Sequence, residues 1–157
     1  MNNSTRDEWC TPHKLYNSLY EQYEFSFDCC ANEGNTKCAN WSNDFLNYWP
    51  GRETRTNIFW MNPPFSRAQK MFNHFFTVVT YGIAIYRCDN IETDLWQNTI
   101  IPQCDWIFVL RGRVKYDGFS GSSPRFPSAL IGVGLPHPYL VEGWVLITPS
   151  ARLSFDS

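Results

Sequence analysis

The sequence predicts an α/β domain in which strands alternate with helices and β-rich elements gather near the C-terminus. Three observations carry this expectation. Short runs rich in aromatic and branched residues, "FSFD" (25–28), "NIFWMN" (57–62) and "GIAIYR" (82–87), lie between segments whose apolar residues recur at helical spacing. Later runs, "DWIFVLRGRVKY" (105–116), "SALIGVG" (128–134) and "WVLIT" (144–148), read as strands without intervening helices. The composition, 43% hydrophobic and 18% charged, is that of a folded globular chain.

The elements follow in order. Thr11-Pro12 reads as an N-cap with proline at the first helical position, and Leu15/Leu19 with Tyr16/Tyr20 recur at four-residue spacing, which predicts a short amphipathic helix to about Gln22. "FSFD" is a buried strand ending in a carboxylate. "ANEGNTKCANWSND" (31–44) is polar and turn-rich, with room for a turn or two of helix. The strand "NIFWMN" must stop at Pro63-Pro64, since neither proline can donate to a ladder. Ser66 then caps a helix over "RAQKMFNHFFTVVTY" whose apolar face is Met71, Phe72, Phe75 and Phe76. After "GIAIYR", "IETDLWQNTII" (91–101) reads as a helix ended by Pro102, and "DGFSGSSPRFP" (117–127) as the loop between two strands.

At 157 residues the chain fits a single domain spanning 1–157, with no internal repeat or interdomain linker. No apolar run reaches the roughly 18 residues that span a bilayer, and the polar start "MNNSTRDEW" is unlike a signal peptide, so a soluble, cytoplasmic protein without a membrane partner is expected. In that compartment the six cysteines are expected to be thiols. Adjacent Cys29 and Cys30 lack the pair spacing of a zinc site, so no metal is expected. The net charge of −2 is unevenly spread: residues 1–50 carry three basic and seven acidic side chains, residues 51–130 nine basic and six acidic. Arg52, Arg55, Arg67, Lys70, Arg111, Arg113, Lys115 and Arg125 make a phosphate-facing surface if the fold gathers them, and scattered solvated charges if it does not.

"NPPF" (62–65) carries the most specific chemistry. In an open α/β sheet ligands bind beyond the carboxyl ends of strands, and Asn62 stands at such an end. Its amide offers an uncharged acceptor oxygen, and the Pro63 carbonyl offers a second, so the two are suited to hold both hydrogens of an exocyclic amine. Phe65 presents a face for a planar base, a contact worth roughly 1–3 kcal/mol. Pro63 and Pro64 restrict the backbone that holds the clamp. Drawing on both hydrogens frees the nitrogen lone pair for attack. The competing reading of the tetrapeptide is a proline turn with an aromatic staple.

The segments "DEWCTP", "FSFDCCAN", "NPPF" and "FVLRGRVKY", in that order over most of residues 7–133, resemble the phage-type DNA adenine methyltransferases of the Dam-like family. The resemblance implies a compact Rossmann-like fold, a mixed sheet flanked by helices, that uses S-adenosylmethionine. It makes Asn62, Pro63, Pro64 and Phe65 the catalytic motif. It implies that Trp9, Thr11 and Pro12 close over the cofactor, that Asp28 lies near its methionine part beside the turn of Cys30 and Ala31, and that Asp44 and Phe45 contact its adenine. Two features depart from the family pattern: no F-x-G-x-G loop follows the first strand, and only 15 residues separate Asp28 from Asp44. The acidic residue that would hold the cofactor ribose has no clear counterpart. Asp28 as a turn cap, Asp44 as a solvated loop acid and Trp9 as core remain the alternatives.

The implied partner is double-stranded DNA, whose target adenine must be extruded from the stack. Arg67, Arg111, Arg113 and Lys115 are the candidate DNA-binding residues, with Arg111 and Arg113 on one face if strand geometry persists across Gly112. The chain has little room for a separate target-recognition domain, and loop 117–127 is the insertion that would enter a groove. Asp94 and Trp96 are candidates for lining the base pocket without an assigned role. Three competing functions remain open: a degenerate DNA-binding protein of the same fold, an amino-methyltransferase acting on RNA or a protein glutamine, and an assembly in which the 17% aromatic content forms core and oligomer interface. Recognition sequence and oligomeric state, monomer or homodimer, are not legible.

Overall fold

The computed structural model describes residues 10–116 and 126–147. Trp9, Arg125, most of the 117–127 loop and the chain after Ile147 lie outside the described residues.

Seven strands form one mixed sheet: β1 (Phe27–Asp28), β2 (Asn40–Trp41), β3 (Ile58–Met61), β4 (Tyr81–Arg87), β5 (Trp106–Leu110), β6 (Ser128–Val133) and β7 (Gly143–Ile147), in the order β2-β1-β3-β4-β6-β5-β7. The first four strands are mutually parallel, while β6 joins β4 and β5 antiparallel and β7 closes the row on β5. Parallel neighbours require crossovers, and helix α2 (Ala68–Val78) supplies the one between β3 and β4.

Residues alternate between the two faces of each strand. Trp60, Ile83, Ile85, Trp106, Phe108 and Leu130 join Tyr16, Leu19 and Tyr23 of helix α1 (His13–Tyr23) in one cluster. Phe59, Met61, Ala84, Tyr86, Ile107 and Ile131 join Met71, Phe72 and Phe75 of α2 in the other. Where the sheet is covered on both faces, at its centre, consecutive strand residues are buried, which accounts for runs such as "IFWM" and "GIAIY", while the edge strands β2 and β7 keep exposed residues such as Trp41 and Trp144. Strand β6 must also make space across the ladder. Trp106 sits opposite Gly132, and a Cβ on Gly132 would overlap the indole.

Several boundaries differ from the sequence expectation. Helix α1 starts one residue later than its cap signal suggests: Pro12 occupies the N-cap position without a side-chain cap bond. The expected later helix is a π-helical stretch, Leu95–Ile100, running into a single turn at Ile101–Gln103, so Pro102 lies within it. A widened turn is one way a helix accommodates a residue that cannot donate. Strand β5 stops at Leu110, well short of Tyr116, because Gly112 turns the chain with φ +73°. The extended geometry that would have aligned Arg111 and Arg113 therefore ends before them. Trp96 is fully buried core, its indole N–H donating to the Arg87 carbonyl at 3.2 Å and Asn90 Oδ1 at 3.1 Å, and does not line a base pocket. Among the described residues no helix is long and apolar enough to cross a membrane.

Candidate active site

Strands β1 and β3 are parallel neighbours in the register Phe27↔Phe59 and Asp28↔Trp60. Their carboxyl ends therefore coincide, and Asp28 and Asn62 emerge together at one edge of the sheet although 34 positions separate them in sequence. Both line a pocket of about 250 Å³. Its floor and near wall are Cys29, Cys30, Ala31 and Trp60; Cys10 and Thr11 approach from the segment before α1, and Pro64, Arg67 and Met71 from the segment after β3. Asn32, Asn35, Lys37, Asn43 and Phe45 complete the lining from the segment between β1 and β3.

That segment is short because it replaces a helix with turns. Asn32 Oδ1 accepts from the backbone N–H groups of Gly34 at 2.8 Å and Asn35 at 3.0 Å, while Asn35 Oδ1 accepts from the Asn32 N–H at 2.7 Å. These side chains do the work that a helical ladder would otherwise do. The chain thereby returns within eleven residues to place β2 beside β1. A two-residue strand thus fits in a stretch that the sequence reads as turns.

Asp28 is 4% exposed and, among the described residues, has no cationic side chain in an ion pair with it. Its Oδ2 accepts from the Lys37 backbone N–H at 3.0 Å and its Oδ1 from the Cys30 N–H at 3.3 Å. Burial pushes its carboxyl up to about 6, against the opposing effect of those two donors and the Lys37 charge. A carboxylate held this way has much to gain from a cationic ligand. The thiols of Cys29 and Cys30 are raised well above their ordinary value by burial, which leaves them protonated and poorly nucleophilic.

Asn62 is half-buried, and its Nδ2 donates to Thr11 Oγ1 at 3.1 Å. Thr11, expected as a helix cap, is 1% exposed and faces Asn62. Pro63 is buried. Phe65 begins a single 3-10 turn, Phe65–Arg67, and its ring lies edge-on to Tyr86 and Phe126 with centroids 5.8 and 5.6 Å away. Arg87 stacks between these rings, its guanidinium 4.6 Å from the Phe126 centroid and 5.7 Å from that of Phe65. Asp89 holds it through two 2.7 Å bonds.

The remaining candidates divide by location. Phe45 is buried, edge-on to His74, and lines the pocket; its neighbour Asp44 is exposed, outside the lining, and accepts from Asn47 Nδ2. Arg67 lines the same pocket and so stands apart from the other basic candidates. Arg111, Arg113 and Lys115 share a second, open groove of about 620 Å³ with Pro12, Lys14, Leu15 and Glu142. Arg111 pairs with Glu142 at 3.3 Å, both side chains 79% exposed. Lys37, Asn32, Asn35 and Arg87 were not singled out from sequence. Lone polar residues in a turn-rich stretch carry no spacing signal, and Arg87 at a strand end is distinguished only by the rings folded around it. Among the described residues no three His, Cys, Asp or Glu side chains cluster in a way that could hold a metal.

A mixed sheet with helices on both faces and a polar pocket at the carboxyl ends of its parallel strands defines a Rossmann-like methyltransferase fold. The family model for DNA N-6-adenine-methyltransferase (Dam) matches residues 1–116, and the chain belongs to that family. The match includes every residue of the pocket and stops before β6 and β7. No curated protein matches the sequence.

Proposed function

We propose that the protein methylates the N6 amine of an adenine flipped out of double-stranded DNA, with S-adenosylmethionine as donor. The observation that carries this reading is the meeting of Asp28 and Asn62 in one pocket at the ends of β1 and β3, in a chain of the DNA adenine methyltransferase family.

The lining has the donor set that an amino-acid-bearing cofactor requires. The buried Asp28 carboxylate suits the ammonium group, Lys37 suits the carboxylate, and Phe45 and Met71 offer apolar surface to the remainder. Cys30 and Ala31 contribute the adjoining turn with Thr11 in the same lining, while Pro12 lines the second groove instead. When bound, S-adenosylmethionine supplies an electrophilic methyl group.

The protein's own work is at the amine. Asn62 Oδ1 and the Pro63 carbonyl accept its two hydrogens, which localises the lone pair on nitrogen. Pro64 stiffens this segment, and Phe65, steadied by Tyr86, Phe126 and Arg87, stacks on the base. The nitrogen sheds one proton to solvent after it gains the methyl group, so no strongly basic side chain is required. Extruding the base costs a few kcal/mol, offset by stacking and by the clamp. Arg111, Arg113 and Lys115 hold the phosphate backbone in the second groove, while Arg67, which lines the pocket, is placed to meet a phosphate of the flipped nucleotide.

Transfer of labelled methyl from S-adenosylmethionine to unmethylated duplex DNA, followed by nucleoside analysis, tests the reading. Label is expected in N6-methyladenine and is expected to fall by at least about 100-fold in Asn62→Ala, the scale of losing one well-placed polar group at a reaction centre. Label in RNA or protein alone, or DNA binding without any methyl transfer, would overturn it.

A further inference from the structure

Helix α2 buries Met71, Phe72, Phe75 and Val78 in the core, and His74 is the buried polar residue among them. A polar side chain in that place needs a partner. Its Nε2 lies 2.7 Å from the Tyr48 carbonyl oxygen. A carbonyl oxygen only accepts, so Nε2 carries the hydrogen and the sense of the bond is fixed. The imidazole also meets two rings edge-on, Phe45 at 79° and Trp49 at 89°, with centroids 4.9 Å away in each case.

These contacts fall on the two ends of one 3-10 turn, Phe45–Asn47. The turn is closed by its own backbone bonds, from the Asn47 N–H to the Asp44 carbonyl at 3.1 Å and from the Tyr48 N–H to the Phe45 carbonyl at 2.9 Å. His74 packs on its first residue and holds the carbonyl just past its last. Phe45 of this turn and Met71 of α2 both line the pocket that Asp28 and Asn62 line, and Asn43 joins the lining just before the turn. Met71 precedes His74 by three positions, so the two share a side of α2. Apolar contact alone is non-directional and lets a turn slide on a helix. A directed bond from α2 to the turn sets the separation of the two apolar walls.

We propose that His74 is a positioning residue for cofactor binding, which fixes the Phe45 wall of the pocket relative to the Met71 wall by holding the Tyr48 carbonyl. This rests on the methyltransferase reading, in which those walls take the apolar part of S-adenosylmethionine, and deepens it. His74 is not part of the pocket lining, so its effect is exerted through the turn.

The test compares His74→Phe, which keeps an aromatic ring and removes the donor, with His74→Gln, which removes the ring and keeps an N–H donor at similar reach. Calorimetry with S-adenosylmethionine and steady-state kinetics with DNA are run on each full-length protein. In Phe, the cofactor Kd is expected to rise roughly 5- to 50-fold, the scale of leaving a buried carbonyl unpaired, while kcat at saturating cofactor and the KM for DNA stay within about threefold of wild type. Gln is expected to recover most of the affinity. In the protein alone, the Asn47 and Tyr48 backbone amides are expected to exchange with deuterium faster in Phe than in wild type or Gln.

A Phe variant with unaltered cofactor Kd overturns the inference. So does a loss confined to kcat, or a loss of affinity that Gln fails to recover, since neither follows from the bond to Tyr48. Should Phe not fold, His74→Leu carries the same expectations. If wild type binds no S-adenosylmethionine, the functional reading fails, and the exchange comparison still decides whether His74 holds the turn.

Discussion

Asp28 shows how one residue can serve a site at the expense of the fold. Its carboxyl is pushed from the ordinary 3.8 to about 6 by burial. Between those values the folded protein binds more protons than the unfolded chain, so this residue's contribution to stability falls as pH rises from about 4 to 6 and stays low above that. The cost at neutral pH is roughly 2–3 kcal/mol at 1.36 kcal/mol per unit. Binding of a cation has the opposite dependence, because only the ionised carboxylate attracts it. Cofactor affinity is therefore expected to weaken as pH drops through about 6 and to level off above about 7. Calorimetric titration at pH 5 and pH 7.5 checks this: a difference approaching tenfold is expected in wild type and a much smaller one in Asp28→Asn. Equal affinities at the two pH values would separate Asp28 from the cofactor.

At the scale of elements, the strands are set by side-chain volume across the ladder as much as by hydrophobicity. Gly132 lies opposite Trp106 within the β5–β6 pair, and the indole, whose N–H donates to the Leu135 carbonyl at 2.7 Å, occupies the space a Cβ would need. Gly132→Ala should destabilise the protein by about 1–3 kcal/mol, the usual cost of overpacking a core. A denaturant titration would reveal it as a lower midpoint with unchanged slope, and a neutral result would mean that Trp106 can move aside. Strand identity at β3, β4 and β6 was readable because runs such as "IFWM" and "GIAIY" have no competing helical spacing. The end of β5 was not, since "LRGRVKY" continues an apolar strand in composition and only the left-handed Gly112 breaks it. Thr11-Pro12 misled for a related reason: a cap signal is local, and the hydroxyl found a partner from β3's carboxyl end that the local sequence does not contain.

On the whole molecule, the first turn of α1 and the residues just before it border both the pocket and the basic groove. Thr11 lines the pocket, and Pro12 and Lys14 line the basic groove with Arg111, Arg113 and Lys115. A DNA backbone in the groove would thus run beside the pocket that Asp28 and Asn62 line. The Arg111–Glu142 pair is too exposed to count for more than about 1 kcal/mol, so Arg111 can exchange its partner for a phosphate at little cost. Replacing Arg111 and Arg113 together by alanine should weaken DNA binding and lower the slope of log K against log salt by about one for each lost phosphate contact. Fluorescence anisotropy between 50 and 200 mM salt measures that slope, and an unchanged value would move the DNA surface elsewhere.

The sequence by itself determined the α/β class, the positions of most strands and helices, and the groups that "NPPF" offers at a strand end, because these depend on residue type and spacing along a continuous stretch. The tertiary structure decided what depends on register between distant segments. Parallel pairing of β1 with β3 brings Asp28 to Asn62, the turn built on Asn32 and Asn35 delivers Lys37 to the same pocket, and Arg87 finds Phe65 and Phe126 only once β4 is in place. Hydrogen bonds and ring contacts act over a few ångströms, so a residue's local sequence can announce the groups it offers, while the chain's path through the sheet selects the partners that receive them.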